Sequence, residues 1–290
     1  MNLASLVKFL TVAGLVAIML SMGLTVEFGE VAASVRKPRL MVLGVVANFL
    51  LVPAVTIGLL YLFGANPMVA VGFLILAVCP GAPVGPPFAA VARGDVPSAI
   101  GQMVVLAILS AVLSPALLSM LLAHVLPASD LQIDYLAIVR TLLVAQILPL
   151  AIGMASHHWV PKLAEWTAKP LRVLANLLLL GAVLLLLVKE YQTLELIRLR
   201  GWFGMLLLLA ASLAIGWLCG GPGLATRKSL AVTTGARNAA VGLVIVSKNF
   251  ADTPAVTALI AYALVSILGT LGCALLFAVV PGGDNAYQKG

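Results

Sequence analysis

Charge is what this chain lacks. Only 9% of its 290 residues are charged, while 62% are hydrophobic. A soluble domain could not cover its surface with so few charges. The mean hydropathy of +1.16 agrees, so lipid is the solvent for most of the chain, and counting soluble domains by length does not apply.

The few charges sum to +7. The basic residues fall in short clusters between apolar runs, which is how membrane topology is written. No aromatic-interleaved basic patch points to nucleic acid as a partner. Cysteine is scarce too: Cys79, Cys219 and Cys273 each lie in an apolar segment and form no CxxC pair. That excludes a disulfide framework and leaves them as small buried hydrophobes. Of the three histidines, His157 and His158 read as an adjacent pair in a loop with no third ligand near, so no metal centre is expected. Met1 to Ser5 has no basic n-region and no A-x-A-like cleavage site follows, so the first apolar run reads as a retained helix.

What is abundant is apolar sequence in lengths of about 20 residues, enough to cross a bilayer. Nine spans are expected: Ser5–Leu24, Leu40–Phe63, Pro67–Ala92, Pro97–Ala123, Asp134–Ala155, Leu171–Val188, Trp202–Cys219, Ser229–Ser247 and Pro254–Val280. Leu40 to Ala92 carries no charge and fits two crossings hinged at Gly64-Ala65-Asn66-Pro67. Gly220-Gly221-Pro222-Gly223 ends the seventh span. Arg36, Lys37, Arg39, Arg93, Lys162, Lys169, Arg172, Arg227, Lys228 and Lys289 fall on one side. Lys8, Arg140, Lys189, Arg198, Arg200 and Lys248 fall on the other. The richer side is expected to be cytoplasmic. The protein is then a multi-pass protein of the cell membrane, with its N-terminus outside and its C-terminus inside.

Two spans are not plain apolar helices. The third contains "CPGAPVGPPF", with Pro80, Pro83, Pro86 and Pro87 close together around Gly81. Each proline removes a backbone donor, so an unwound middle is expected, with Pro86 or Pro87 in the first turn of a second half-helix. The eighth contains "TTGARN", where Gly235 and Arg237 interrupt an apolar run. Asp95/Pro97 follows the first break and Asp252/Pro254 the second. Spans two to four and seven to nine thus read as two units of opposite orientation. Irregular backbone at membrane depth survives where it lines a cavity, and paired broken helices in inverted repeats mark secondary transporters. Half-helix N-termini suit an anion.

With these motifs in view, the chain resembles the bile acid:sodium symporter family. The likeness rests on "MLSMGLTVEF" (Met19–Phe28), "RKPRLMVLGVVANFLLVP" (Arg36–Pro53), "GFLILAVCPGAP" (Gly72–Pro83), "ARGDVPSA" (Ala92–Ala99) and "GARNAAVGL" (Gly235–Leu243). The resemblance implies an all-α integral membrane fold of about nine helices, with inverted repeats and two broken crossing helices. A core would cover approximately 40–123 and 202–280, and a panel approximately 5–24 and 134–188. It further implies alternating access, with a small organic anion near the crossing.

The residues that hold sodium in the family do not carry over. Gly85-Pro86 stands for Ser-Asn, Ala99 and Met103 for hydroxyl side chains, Thr233 for a glutamate and Arg237 for a glutamine. Asn238 is kept, and Asn48 stands for a glutamine in the second span. Arginine offers only donors, and a like charge ~4 Å away costs about 4 kcal/mol at an effective dielectric of 20. That is roughly a thousandfold in sodium affinity. Sodium coupling through the family's usual geometry is therefore not expected, and no other cofactor is implied.

Arg237 carries three readings. It binds the anion directly, helped by Thr233, Thr234, Asn238, Asn48 and the Gly85-Pro86 turn; or its fixed charge replaces sodium; or it caps carbonyls of the neighbouring half-helix. An intramembrane arginine usually marks function. Glu27, Asp95, Asp134 and Asp252 lie near span ends and offer no midplane proton relay. The expected activity is uniport or exchange of organic anions. The alternatives are a sodium symporter with a displaced ion site and a non-transporting membrane sensor. An enzyme would want a His/Asp/Glu cluster or a Ser-His pair near one face, and none is legible.

Overall fold

The structure is a computed structural model that describes residues 3–29, 31, 37–125, 135–195 and 197–279. Among these residues it is all-helical. Eight helices are long and apolar enough to cross a membrane, and a shorter apolar one joins them. The order is α1 (Leu3–Gly23), α2 (Pro38–Leu62), α3 (Pro67–Ala77), α4 (Gly85–Val91), α5 (Val96–Val125) and α6 (Tyr135–Trp159). Then come α7 (Pro161–Glu195), α8 (Leu199–Cys219), α9 (Leu224–Gly235), α10 (Ala239–Asn249) and α11 (Pro254–Val279). Of the residues named above, Met1, Arg36, Asp134, Val280 and Lys289 lie outside the described ones.

The punctuation acts as its chemistry demands. α2 stops at Leu62, and Gly64 takes the left-handed conformation at φ 54°. Asn66 then caps α3 by accepting from the Met68 amide at 2.9 Å. Pro53 and Pro149 have no N–H to return to the carbonyl four residues back. Each follows a π turn, Ala47–Leu51 in α2 and Leu143–Ile147 in α6, closed by bonds five residues long. Each turn carries a fully buried amide side chain, Asn48 and Gln146.

Two sequence boundaries change. His157 and His158 belong to the last turn of α6, not to a loop. His157 Nδ1 lies 2.8 Å from the carbonyl of Leu24, one of the orphan acceptors past the end of α1. The sixth span, read as Leu171–Val188, is only the middle of the 35-residue α7. Charges at its ends limit what lies in hydrocarbon, not what is helical.

The core forms where the two broken spans meet. α3 packs on α11 and α10, while α9 packs on α5, α4 and α8. Within the α9–α10 span an 18-residue apolar stretch is 94% buried, so that stretch presents almost nothing to lipid. α1 packs on α7 and α6 and also touches α10. Gly23 and Gly153 allow the closest approach of α1 to α6: a Cβ at Gly23 would sit 2.3 Å from the Leu150 carbonyl.

Candidate functional site

α3 ends at Ala77, and Val78 to Val84 run without helix before α4 begins at Gly85. Pro80, Gly81 and Pro83 lie in that gap, while Pro86 and Pro87 fall in the first turn of α4. Gly81 is obligatory there. Its φ is +79°, and a Cβ would lie 2.6 Å from the Ala107 amide of α5. The Ser114 hydroxyl of α5 donates to the Val78 carbonyl, satisfying one group that the break leaves without a helical partner.

The second break is shorter. α9 ends at Gly235, Ala236 is extended, and Asn238 caps α10 by accepting from the Val241 amide at 3.2 Å. The two breaks are joined directly. The Asn238 amide donates to the Cys79 carbonyl at 2.9 Å, and its side-chain Nδ2 donates to the Gly81 carbonyl at 3.3 Å.

Arg237 lies between them and is 1% exposed. Its Nη1 donates to the carbonyl of Ala77, the last residue of α3, at 3.3 Å. Its Nε and Nη2 are buried without a hydrogen-bond partner among the described residues. Among the described residues Cys79 and Tyr262 are its neighbours in electrostatic reach, and no carboxylate is with them. A buried cation without a counter-charge is expensive. The α3 C-terminal carbonyls, at the negative end of the helix dipole, offset part of that cost.

A cavity of about 380 Å³ adjoins this crossing. Ile18, Met22 and Thr25 of α1 and its end form one wall with Arg172, Asn176 and Leu179 of α7. The facing wall holds the Ala82–Val84 turn, Pro86 and Pro87, Ile100 and Met103, Arg237 to Ala240, and Ile267. Its polar side chains are donors or neutral groups; among the described residues no acid lines it. Pro86 and Pro87 remove two amides from the start of α4, and at the start of α10 the Ala239 and Val241 amides already donate to the Arg237 carbonyl and to Asn238 Oδ1.

Of the residues singled out from sequence, Arg237, Asn238, Pro83, Pro86, Pro87 and Met103 line the cavity. Thr233, Thr234, Asn48, Gly85 and Ala99 are not among its lining residues. The Thr233 hydroxyl turns back to the Ser229 and Leu230 carbonyls at 2.9 and 3.2 Å. Thr234 accepts from Asn48 Nδ2 at 3.2 Å. A Cβ on Gly85 would meet Thr233 Cγ2 at 3.0 Å. Ala99 is buried.

Arg172 and Asn176 were not singled out by sequence as part of this site. Arg172 donates to Thr25 Oγ1 at 3.3 Å. In sequence it reads as one more topology charge. The available signal was its spacing: Arg172 and Asn176 are four apart, on one helix face, and Asn176 is a lone amide in a leucine-rich run.

Comparison with known proteins fits this architecture. The chain is 25% identical over 250 residues to a probable sodium/metabolite cotransporter, chloroplastic, of Oryza sativa subsp. japonica, covering 82% of this chain and 57% of that one. It is 25% identical over 248 residues to an uncharacterized sodium-dependent transporter of Bacillus subtilis (82% and 74%). It is 26% identical over 245 residues to the ileal sodium/bile acid cotransporter of Oryctolagus cuniculus (81% and 68%). The match thus spans little more than half of the rice protein. The model of the Sodium Bile acid symporter family matches residues 12–199, more than half of the chain, and the protein belongs to that family.

Proposed function

We propose that this protein carries small organic anions across the cell membrane by alternating access, with Arg237 as a fixed cation in place of a bound sodium ion. The observation that carries the reading is the guanidinium itself. It is buried at the crossing of the two breaks, holds one carbonyl of α3, and has two nitrogens, Nε and Nη2, without a partner among the described residues beside a cavity. Cationic charge within low-dielectric walls favours an anion and disfavours a cation. The positions expected to hold sodium do not fit it. Ala99 and Met103 are apolar, the Thr233 hydroxyl is committed to its own helix, and Arg237 repels a cation.

In this reading α1, α6 and α7 form a panel against a core of α2 to α5 and α8 to α11. The cavity runs between them toward the end holding Thr25 and Arg172, the proposed cytoplasmic end. At the other end the two parts are tied. Lys189 pairs with Asp252, Thr257 donates to Glu190 at 2.8 Å, and Lys248 of α10 donates to Thr141 of α6 at 3.1 Å. The structure is then the inward-open state.

A sodium symporter with a displaced ion site is the second reading. It is favoured by Asn48 Oδ1 and Gln102 Oε1, two amide oxygens buried without a donor among the described residues, and by the sodium-dependent relatives. Proteoliposome uptake and counterflow of labelled carboxylates, with and without sodium, separate the two. The expected result is exchange indifferent to sodium and lost in Arg237→Ala. Uptake that requires sodium and saturates in it would sink the proposal.

A further inference from the structure

A second cavity, of about 400 Å³, lies away from the crossing, among α2, α3, α8 and α11. Its walls are mostly apolar. Its charged lining residues are Arg198 and Arg200, where the chain enters α8. Both are exposed. Arg200 lies 5.5 Å over the Phe63 ring and donates to the Leu62 carbonyl at 3.4 Å.

The depth of this cavity can be read from its helices. Phe63 marks the end of α2 and Thr56 the floor, about 10 Å deeper at the helical rise; Arg200 to Leu208 covers about 12 Å on α8. The cavity therefore starts at headgroup height and reaches about a third of the way through a hydrocarbon core of roughly 30 Å. Phe203 is 59% exposed beside Phe63, and Trp202 is 40% exposed, as expected of an aromatic belt at the same level. A rim of two guanidiniums over an apolar slot that follows the bilayer normal matches a molecule with an anionic head and a hydrocarbon tail. Guanidinium is suited to phosphate oxygens.

We propose that this cavity is a binding site for an anionic phospholipid, with the phosphate on Arg198 and Arg200 and one acyl chain running down toward Thr56 and Leu208. The occupant joins α2 and α3 of one repeat to α8 and α11 of the other, at the end opposite the Arg237 cavity mouth.

Native mass spectrometry of the full chain in mild detergent tests this, with phosphatidylglycerol and phosphatidylcholine of matched acyl chains. The expected result is preferential retention of phosphatidylglycerol. Arg198→Gln/Arg200→Gln should lower that retention by roughly fivefold per arginine, the attraction of one basic residue for anionic headgroups, and leave phosphatidylcholine unchanged. Leu208→Trp, which fills the floor, should displace both lipids. Equal retention of the two lipids overturns the proposal, as does phosphatidylglycerol binding that neither variant reduces. If the variants do not fold, competition on the unaltered protein decides. Displacement by dodecyl phosphate but not by inorganic phosphate supports a headed-chain site. Displacement by inorganic phosphate alone, or by a transported carboxylate, overturns it.

Discussion

Asp95 occupies the N-cap of α5. Its Oδ1 accepts from the Ser98 amide at 3.1 Å, and its Oδ2 accepts from Lys37 Nζ at 2.9 Å and from the Ser98 hydroxyl at 2.8 Å. Its backbone joins α9, donating to the Ala225 carbonyl and accepting from Ser229 Oγ. Burial pushes its pKa up, but the hydrogen bonds from Lys37 and Ser98 outweigh that and hold it below the ordinary carboxylate range. A carboxyl whose folded pKa is depressed stabilises the fold above the ordinary range and loses that contribution as pH falls through the folded value. Asp95→Ala should therefore cost about 1 kcal/mol in lost capping at neutral pH, with the difference from wild type shrinking on acidification. Asp95→Asn should keep most of the cap. Melting curves of the three proteins at pH 7 and pH 3 test this; an Ala-to-wild-type gap that widens in acid contradicts it. Sequence marked Asp95 only as loop punctuation, because its partners Lys37 and Ala225 are distant in the chain.

At the scale of the element, the breaks were legible and their environment was not. Four prolines in eight residues leave a helix no choice, and "TTGARN" announced itself by polarity. That Gly81 sits against the Ala107 amide depended on α5 passing behind the break. Gly81→Ala combines backbone strain of order 1–3 kcal/mol with a clash against backbone. Gly64→Ala is the control, since Gly64 also has positive φ (54°) but open space around its Cβ. Fluorimetric melts should show Gly81→Ala lowered by several degrees more than Gly64→Ala. Equal shifts would mean that the contact with α5 carries no weight.

For the whole molecule, the contacts that bear on the proposed cycle are those that tie α6 and α7 to α10, α11 and the turn before it. Lys189 and Asp252 come from α7 and from the turn before α11, 63 residues apart in the chain. If that end must part for transport, linking it should stop the cycle without emptying the cavity. Lys189→Cys/Asp252→Cys, on a background with Cys79, Cys219 and Cys273 replaced by alanine, should lose counterflow on oxidation and regain it on reduction. Thermal stabilisation by a bound carboxylate should persist in both forms. Undiminished flux through the oxidised protein would show that this contact is no gate.

The apolar run lengths determined the number of crossings, because backbone groups in lipid have no partners except in a helix. The prolines determined where one helix breaks, because a missing N–H is local chemistry. The arginine in "TTGARN" was visible as a cost that needs a reason. Only tertiary structure decided what Arg237 faces. It set Nη1 against the Ala77 carbonyl 160 residues away, and it turned Thr233 and Thr234 away from the cavity that their neighbours line. It also brought Arg172, read as a topology charge, into the same space. Which side of a buried helix meets a cavity depends on what packs against every other side, and no local pattern contains that.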